Sequence, residues 1–171
     1  MDEAEHADVV VIGLGPGGEY AAGMLAESIT TGTACHLDAD MVHRGLHHLP
    51  WRTLDYLFIE NVGNLVCPAI YDLGQDANVV ALSVTEGEDK PLKYPTMFHK
   101  ADLVLITKID LLPALPDVRL DAIEENLRAV MPRPQVFKVS ARTGEGITQW
   151  IAWLSAHQQR PRTLCATGVG V

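Results

Sequence analysis

The segment Leu103-Val104-Leu105-Ile106-Thr107-Lys108-Ile109-Asp110 decides the fold class of this 171-residue chain. Its first five residues predict a short buried strand, and the charged side chains of Lys108 and Asp110 follow that strand directly. In open α/β sheets, ligands bind at such carboxyl ends of strands. A carboxylate two residues beyond a lysine can accept two hydrogen bonds from guanine N1 and N2, while the lysine stem covers the base. The segment therefore predicts a strand that presents a guanine pocket.

A second polar pair follows another predicted strand, Val136–Val139, about 30 residues later. Here Ser140 and Ala141 come next, and a backbone N–H at this point can reach guanine O6. The usual guanine motif is N-K-x-D, so Thr107 replaces its asparagine and leaves a hydroxyl to tie the two loops together. An exposed lysine and aspartate after a strand can also be merely solvated. Two such motifs at strand ends make a nucleotide pocket the more specific interpretation.

Strands and helices alternate along the rest of the chain. This order predicts right-handed βαβ units, and hence an α/β fold with a mostly parallel sheet and flanking helices. We expect a single domain over residues 1–159, with an atypical strand–turn–helix in residues 1–29 and a tail in residues 160–171. The remaining strands are predicted at Asp8–Gly13, Leu54–Glu60 and Val79–Val84, and the helices at Gly17–Ile29, Asp38–Leu49, Leu120–Met131 and Gly146–His157.

Charge and cysteine content restrict the class of protein. The net charge is −9, which argues against a nucleic-acid surface built from clustered lysine and arginine. The early apolar run Val9–Leu14 is too short to span a membrane, and the acidic residues before it do not suit a secretory signal. We therefore expect a cytoplasmic protein. Three cysteines without framework spacing suit reduced thiols or metal ligands better than disulfides.

A metal-ligand set is present in Cys35, His36 and Cys67. Thiolate with imidazole suits zinc or nickel, and three ligands from one chain leave the site open. Two chains related by a twofold axis could close it. The alternative is that these are buried, inert cysteines. Three more histidines could contribute ligands or could form a solvated helix face: His43, His47 and His48.

The glycine-rich segment near the start supports two interpretations. Gly13, Gly15 and Gly18 satisfy G-x-G-x-x-G, and Asp8–Leu25 resembles the N-terminus of flavin-dependent disulfide oxidoreductases, so a flavin- or NAD-binding redox module is one alternative. As a phosphate loop, the same segment should continue with Lys and Ser/Thr, but it continues with Glu19 and Tyr20. A glutamate a few ångströms from a triphosphate is unfavourable by several kcal/mol, on the order expected at an effective dielectric near 20.

Four stretches together resemble the HypB family, the nickel-insertion GTPases of hydrogenase maturation: Thr31–Ala39, Phe58–Pro68, Ser83–Pro95 and Ser140–Gly146. The resemblance extends from about Thr31 to Leu154. It implies a P-loop-NTPase-like fold of the SIMIBI type and a cytoplasmic homodimer joined through the metal-site face. It also implies GTP or GDP with magnesium, nickel or zinc, and nickel transfer to a hydrogenase precursor together with other maturation factors.

The resemblance also implies residue roles. Cys35, His36 and Cys67 would be metal ligands, and Glu60 and Gly63 would belong to the catalytic segment that senses γ-phosphate and magnesium. The nucleotide pocket would contain Lys108, Asp110, Ser140 and Ala141. Nucleotide state would then move the metal-bearing loops. The family's histidine-rich N-terminus and phosphate-loop lysine are absent, so we expect hydrolysis to be weak or lost, and whether the chain is an enzyme stays open. A further alternative is a nickel- or zinc-binding dimer without nucleotide.

Overall fold

The structure is a computed structural model that describes residues 9–12, 26–27, 35–51 and 54–158. Its strands form two three-stranded sheets in which every pairing is parallel, with orders β2-β1-β3 and β4-β5-β6. This arrangement confirms the predicted α/β class, although the described strands divide into two sheets rather than one. The strands are β1 (Val9–Ile12), β2 (Ala26–Glu27), β3 (Tyr56–Ile59), β4 (Val79–Ser83), β5 (Leu103–Thr107) and β6 (Val136–Lys138).

Five α-helices and one 3₁₀-helix connect the described strands. The first helix begins where the Asp38 carboxylate accepts a 2.7 Å hydrogen bond from the Met41 N–H, which is the usual role of aspartate at a helix N-cap. The helices are α1 (Ala39–Leu46), α2 (Lys90–Lys93), α3 (Pro95–His99), the 3₁₀-helix (Ile109–Ala114), α4 (Leu120–Val130) and α5 (Ile147–Gln158). Among the described residues, none of the helices has the length and apolarity needed to cross a membrane.

Strand β5 is the centre of the β4-β5-β6 sheet and supplies both of its apolar layers. Val104 and Ile106 are fully buried against Ile123 and Leu127 of α4. Leu103 belongs to the opposite cluster, which includes Trp153 of α5. Because successive strand residues point to opposite faces, this alternation shows that helices cover both sides of the sheet.

Helix α5 also contacts the strand that leads to the predicted metal site. The Phe58 ring of β3 lies 6.5 Å from the Trp150 ring, centroid to centroid. At the other end of β3, the Tyr56 hydroxyl donates a 3.3 Å hydrogen bond to Gln158. These contacts place β3 beside the helix that packs on the second sheet.

The predicted elements are largely present. Strand β5 has the predicted bounds, and β4 and β6 each end one residue earlier than predicted. Helix α1 ends at Leu46 rather than Leu49, because the His48 and Leu49 N–H groups bond three residues back, to Gly45 and Leu46, in a tighter turn before Pro50.

Two predictions need correction. The helix predicted over Gly17–Ile29 is wrong at Ala26–Glu27, which pair with Val11 and Ile12 of β1 as a parallel strand. Backbone pairing with a neighbouring strand outweighs the local helix preference there. Helices α2 and α3 were not predicted, although each has proline in its first turn, a position that proline favours.

Candidate functional site

The three predicted metal ligands lie together at the surface. The ligand atoms of Cys35, His36 and Cys67 all lie within 4.8 Å of one another. The Cys35 thiol donates a 2.7 Å hydrogen bond to the Cys67 sulfur, and the Cys35 sulfur lies 3.8 Å from His36 Nδ1. Both cysteines are free thiols. Residues 32 positions apart in sequence therefore present two sulfurs and one imidazole to a single point.

The chemistry of this cluster favours a cation. The hydrogen bond from Cys35 raises the pKa of the Cys67 thiol, and smaller effects of desolvation and of Cys35 charge act in the same direction. Ionisation of both adjacent thiols is unfavourable, because two thiolates repel each other unless a positive charge lies between them. A divalent metal supplies that charge and displaces the thiol protons as it binds. Two thiolates and one imidazole suit zinc or nickel and leave a further coordination position open.

Asn64 joins the two loops that carry the cluster. Its side-chain amide donates a 2.5 Å hydrogen bond to the Cys35 carbonyl. Its side-chain oxygen accepts hydrogen bonds, each of 3.0 Å, from the N–H groups of Val66 and Cys67. One side chain thus fixes the backbone at both cysteines, and the spacing of cysteine and histidine gave no sign of this role.

A second asparagine and an aromatic ring support the same loops. The Asn61 side-chain oxygen accepts a 2.9 Å hydrogen bond from the Leu37 N–H and one of 2.8 Å from the Val62 N–H. The His36 ring stacks on Tyr71 at 3.8 Å between centroids, with 11° between the planes. The asparagines lie in the family-resembling stretch Phe58–Pro68, but nothing in that stretch indicated their role, and no signal indicated Tyr71.

The candidate catalytic segment lies between β3 and the cluster. Glu60 is half-buried and follows the last residue of β3, while Gly63 is exposed and has no atom within 4 Å of the position that a Cβ would take. Asn61 and Asn64 occupy the same short segment. A displacement of Glu60–Gly63 would therefore act directly on the hydrogen bonds that hold the Cys35 and Cys67 loops.

The residues predicted to bind the base lie together where β5 and β6 end. The Ser140 hydroxyl donates a 2.7 Å hydrogen bond to one Asp110 oxygen, and Ser140 is fully buried. The other Asp110 oxygen lies 3.9 Å from an Arg142 guanidinium nitrogen. Lys108 is exposed and holds a left-handed backbone conformation, with φ of 59°, which costs a non-glycine residue roughly 1–2 kcal/mol. Such local strain is typical of functional turns.

The Ser140–Gly146 loop is fixed from within. Ser140 donates its N–H to the Glu145 carbonyl at 2.9 Å, and its hydroxyl accepts a 3.2 Å bond from the Thr143 N–H. Within the described part of the chain, the Ala141 N–H has no hydrogen-bond acceptor, so it is available to a ligand. The loop closes at Gly146, where a Cβ would lie 1.9 Å from the Lys138 carbonyl oxygen.

Other predicted residues lie elsewhere or outside the described part of the chain. His43, His47 and His48 do not join the three-residue cluster, and His43 and His47 instead contact each other. The glycine loop of Gly13, Gly15 and Gly18 falls outside the described residues, and so do Glu19 and Tyr20.

The surface around Cys67 is apolar. Val66 is 55% exposed, Ile70 65% and Tyr71 46%, all within four residues of Cys67. Clustered apolar side chains at a protein surface commonly mark an interface. We refer to Val66, Ile70 and Tyr71 as the apolar rim of the metal cluster.

A parallel α/β fold with polar loops at the carboxyl ends of its strands is typical of nucleotide-binding proteins, and the surface Cys-His-Cys cluster could hold a metal ion. Residues 17–138 match the family described as "CobW/HypB/UreG, nucleotide-binding domain". The chain belongs to the HypB family of hydrogenase maturation factors within that group.

Three relatives illustrate the similarity. The hydrogenase maturation factor HypB of Azotobacter chroococcum mcd 1 is 55% identical over 134 residues, which are 78% of this chain and 44% of that protein. The crystal structure of HypB from Archaeoglobus fulgidus is similar with a TM-score of 0.80 and 34% identity, over 89% of this chain and 76% of that one. The crystal structure of HypB from Helicobacter pylori in complex with nickel has a TM-score of 0.78 and 37% identity, over 88% of this chain and 73% of that one. The chain spans about half the length of the curated relatives that it matches.

Proposed function

We propose that this chain is a GTP-binding metallochaperone that binds nickel and delivers it during [NiFe]-hydrogenase maturation. The observation that carries the proposal is the convergence of Cys35, His36 and Cys67 within 4.8 Å. A relative at 37% identity was crystallised in complex with nickel, which makes nickel the metal of choice over zinc. The nickel ion is cargo here, so a site with an open coordination position suits transfer.

The nucleotide part of the proposal rests on the base pocket. Asp110 is held by Ser140 with its second oxygen directed to the surface side near Arg142, and the Ala141 N–H has no acceptor among the described residues. This donor and acceptor pattern suits the O6, N1 and N2 edge of guanine. We propose GTP or GDP with magnesium as the ligand. Hydrolysis is impaired in this chain, because Glu19 and Tyr20 stand at the positions of the phosphate-loop lysine and hydroxyl.

Coupling between the two sites is proposed to run through Glu60–Gly63. A ligand that draws this segment toward a γ-phosphate would change the hydrogen bonds of Asn61 to Leu37 and of Asn64 to Cys35 and Cys67. The two cysteine loops would then separate or close, and nickel affinity would change with nucleotide state. This is a switch in which local contacts bias an element with two arrangements.

The proposed partners follow from the exposed face. The apolar rim beside Cys67 supports a homodimer in which the two metal clusters meet, with a hydrogenase precursor and other maturation factors as the recipients of nickel. Free thiols at a metal site need a reducing compartment, so we propose a cytoplasmic location. We further propose that residues 1–159 act as one domain.

Nickel titration tests the proposal most simply. Cys67→Ser removes one thiolate and is expected to weaken nickel binding at least a hundredfold, about 2.7 kcal/mol. The third cysteine, Cys165, offers a matched control, and Cys165→Ser is expected to leave nickel affinity unchanged. Equal affinity in the two variants would refute the metal assignment.

A parallel titration with GDP and magnesium, with ADP as the control, tests the nucleotide assignment. Selective GDP binding supports the proposal. Nickel binding without any GDP binding would favour the alternative of a metal-binding dimer that does not use nucleotide.

A further inference from the structure

A histidine pair at the C-terminal end of α1 is separate from the cysteine cluster: His43 lies on α1, and His47 directly follows its last residue. His43 and His47 are one helical turn apart, and both are exposed. Their Nε2 atoms lie 3.3 Å from each other, and the rings meet edge to face with centroids 4.8 Å apart. The two ring nitrogens thus lie close enough to each other to bind one metal ion.

We propose that His43 and His47 form a second metal site, a bis-imidazole clamp for a divalent transition-metal ion such as Ni²⁺, Zn²⁺ or Cu²⁺. Imidazole nitrogens bind zinc at roughly 2.0–2.1 Å. If a metal lies at that distance from two nitrogens 3.3 Å apart, the nitrogen–metal–nitrogen angle is about 105°. This angle lies between the ~90° of octahedral and the ~109° of tetrahedral coordination, so the pair needs little rearrangement to chelate a metal.

The surroundings fix the character of the site. On the same helix, Arg44 forms its ion pair with Asp40, one turn before it, so the guanidinium is engaged by a carboxylate. No third histidine, cysteine or carboxylate among the described residues completes a cluster with the pair, and water would fill the remaining positions. Two neutral ligands bind more weakly than a set with two thiolates. The clamp is therefore the weaker of two sites, on the helix that begins three residues after His36.

The experiment uses the Cys35→Ser/Cys67→Ser variant of the full chain, in which the cluster cannot bind, so its result does not depend on the proposed nickel-delivery function. Calorimetric titration with Ni²⁺ is expected to give one residual equivalent per chain. Adding His43→Gln or His47→Gln should weaken that residual binding at least tenfold. Adding His99→Gln, which changes an exposed histidine on α3, should leave it unchanged. Circular dichroism checks that each variant keeps its helices.

Copper gives an independent readout. With one equivalent of Cu²⁺, electron paramagnetic resonance of the Cys35→Ser/Cys67→Ser variant should show coupling of the copper to two imidazole nitrogens. Adding His47→Gln should reduce that coupling to one nitrogen or none. If the double serine variant fails to fold, the wild-type chain replaces it, and His43→Gln should lower the Ni²⁺ stoichiometry by one equivalent per chain. Absence of residual binding, or residual binding that survives both glutamine variants, would reduce the pair to an ordinary histidine–histidine hydrogen bond and overturn the proposal.

Discussion

The metal cluster and the proposed base pocket differ in the contacts that hold their residues in place. The proposed base pocket is anchored in the core: Ser140 is fully buried, its loop is bonded internally, and the strand before Lys108 lies between two apolar clusters, while Lys108 and Ala141 are exposed. The metal cluster lies on surface loops that two asparagine side chains join, Asn64 by donating to the Cys35 carbonyl and both by accepting from backbone N–H groups, beside the buried Leu37 and Ala69. The first region is held by strands packed in the core, and the second depends more on side-chain hydrogen bonds between two loops.

This difference is consistent with the proposed function, in which nucleotide binding at one site controls metal release at the other. A site that must discriminate guanine benefits from fixed donors and acceptors, because unpaired polar groups then penalise other bases. A site that must release its metal has to reach a second arrangement at low cost. Exposed backbone hydrogen bonds and few buried apolar contacts are the features of segments that open locally. The following predictions test whether the contrast between the two regions is real.

The largest expected effect comes from the glycine that closes the base-pocket loop. Gly146 has φ of 73°, and a Cβ there would lie 1.9 Å from the Lys138 carbonyl oxygen. Gly146→Ala must displace backbone and should lower the free energy of unfolding by about 3 kcal/mol. Denaturant unfolding measures this value.

Two other glycines serve as controls for that variant. Gly144 has φ of 80° but no atom near its Cβ position, so Gly144→Ala should cost only about 1 kcal/mol. Gly63, in the metal half, has open space and no positive φ, so Gly63→Ala should stay within about 0.5 kcal/mol of the wild type. Equal losses at all three positions would contradict the contrast between a fixed and a loose region.

Removal of the base-reading carboxylate should abolish nucleotide selectivity without affecting the metal. Asp110→Ala removes the proposed acceptor for guanine and leaves the buried Ser140 hydroxyl without the carboxylate to which it donates. We expect GDP affinity to fall at least a hundredfold, about 2.7 kcal/mol, while nickel affinity in the absence of nucleotide stays unchanged. Asp117→Ala, at an exposed aspartate, is the control. Retained GDP affinity in Asp110→Ala would show that the base binds elsewhere.

The metal region should depend on Asn64 although this residue offers no ligand to the cluster. Asn64→Ala removes the hydrogen bonds to the Cys35 carbonyl and to the Cys67 N–H. Loss of such supporting groups typically weakens metal binding by about 10–100-fold, and we expect a value near the lower end in nickel titration. Asn126→Ala, which removes a side-chain bond to the Glu88 carbonyl, should leave nickel affinity unchanged. Identical nickel affinities in both variants would show that Asn64 does not support metal binding by the cluster.

The smallest effect concerns Glu124 of α4, which pairs with Lys138 of β6 and with Arg128 of its own helix. Hydrogen bonds from Lys138 and then from Arg128 lower the pKa of the Glu124 carboxyl. A lowered folded-state pKa contributes stability that is present above the unfolded pKa and is lost as pH falls through the folded one. Glu124→Gln should therefore lower the unfolding free energy by about 0.5–1 kcal/mol at pH 7. That difference should vanish in unfolding curves measured below the folded-state pKa, and a difference that persists there would contradict the assignment.

The elements that sequence reasoning predicted best are those with dense apolar periodicity. Strand β5 was predicted at its true bounds because five consecutive residues favour burial in a parallel sheet. Cys35, His36 and Cys67 could be grouped because their chemistry is distinctive whatever their positions in the chain. Strand β2 was not predicted, because two residues are too few to show a hydrophobic periodicity. Their strand conformation depends on pairing with β1.

The residues that support the metal cluster could not be predicted from the sequence, for a different reason. Asn61 and Asn64 act through side-chain bonds to backbone atoms of another loop, and asparagine does so in many turns without any functional role. The stacking of His36 on Tyr71 depends on how two loops fold together. Such contacts become visible only in three dimensions.

X-ray absorption spectroscopy of the protein loaded with one equivalent of nickel tests the central claim most directly. If Cys35, His36 and Cys67 form the tighter metal site, the nickel edge will show sulfur ligands together with imidazole nitrogen. The sulfur contribution will fall in Cys67→Ser and remain in Cys165→Ser. A nickel shell of nitrogen and oxygen alone, or a sulfur contribution that Cys67→Ser does not change, would contradict the assignment of this cluster as the nickel site.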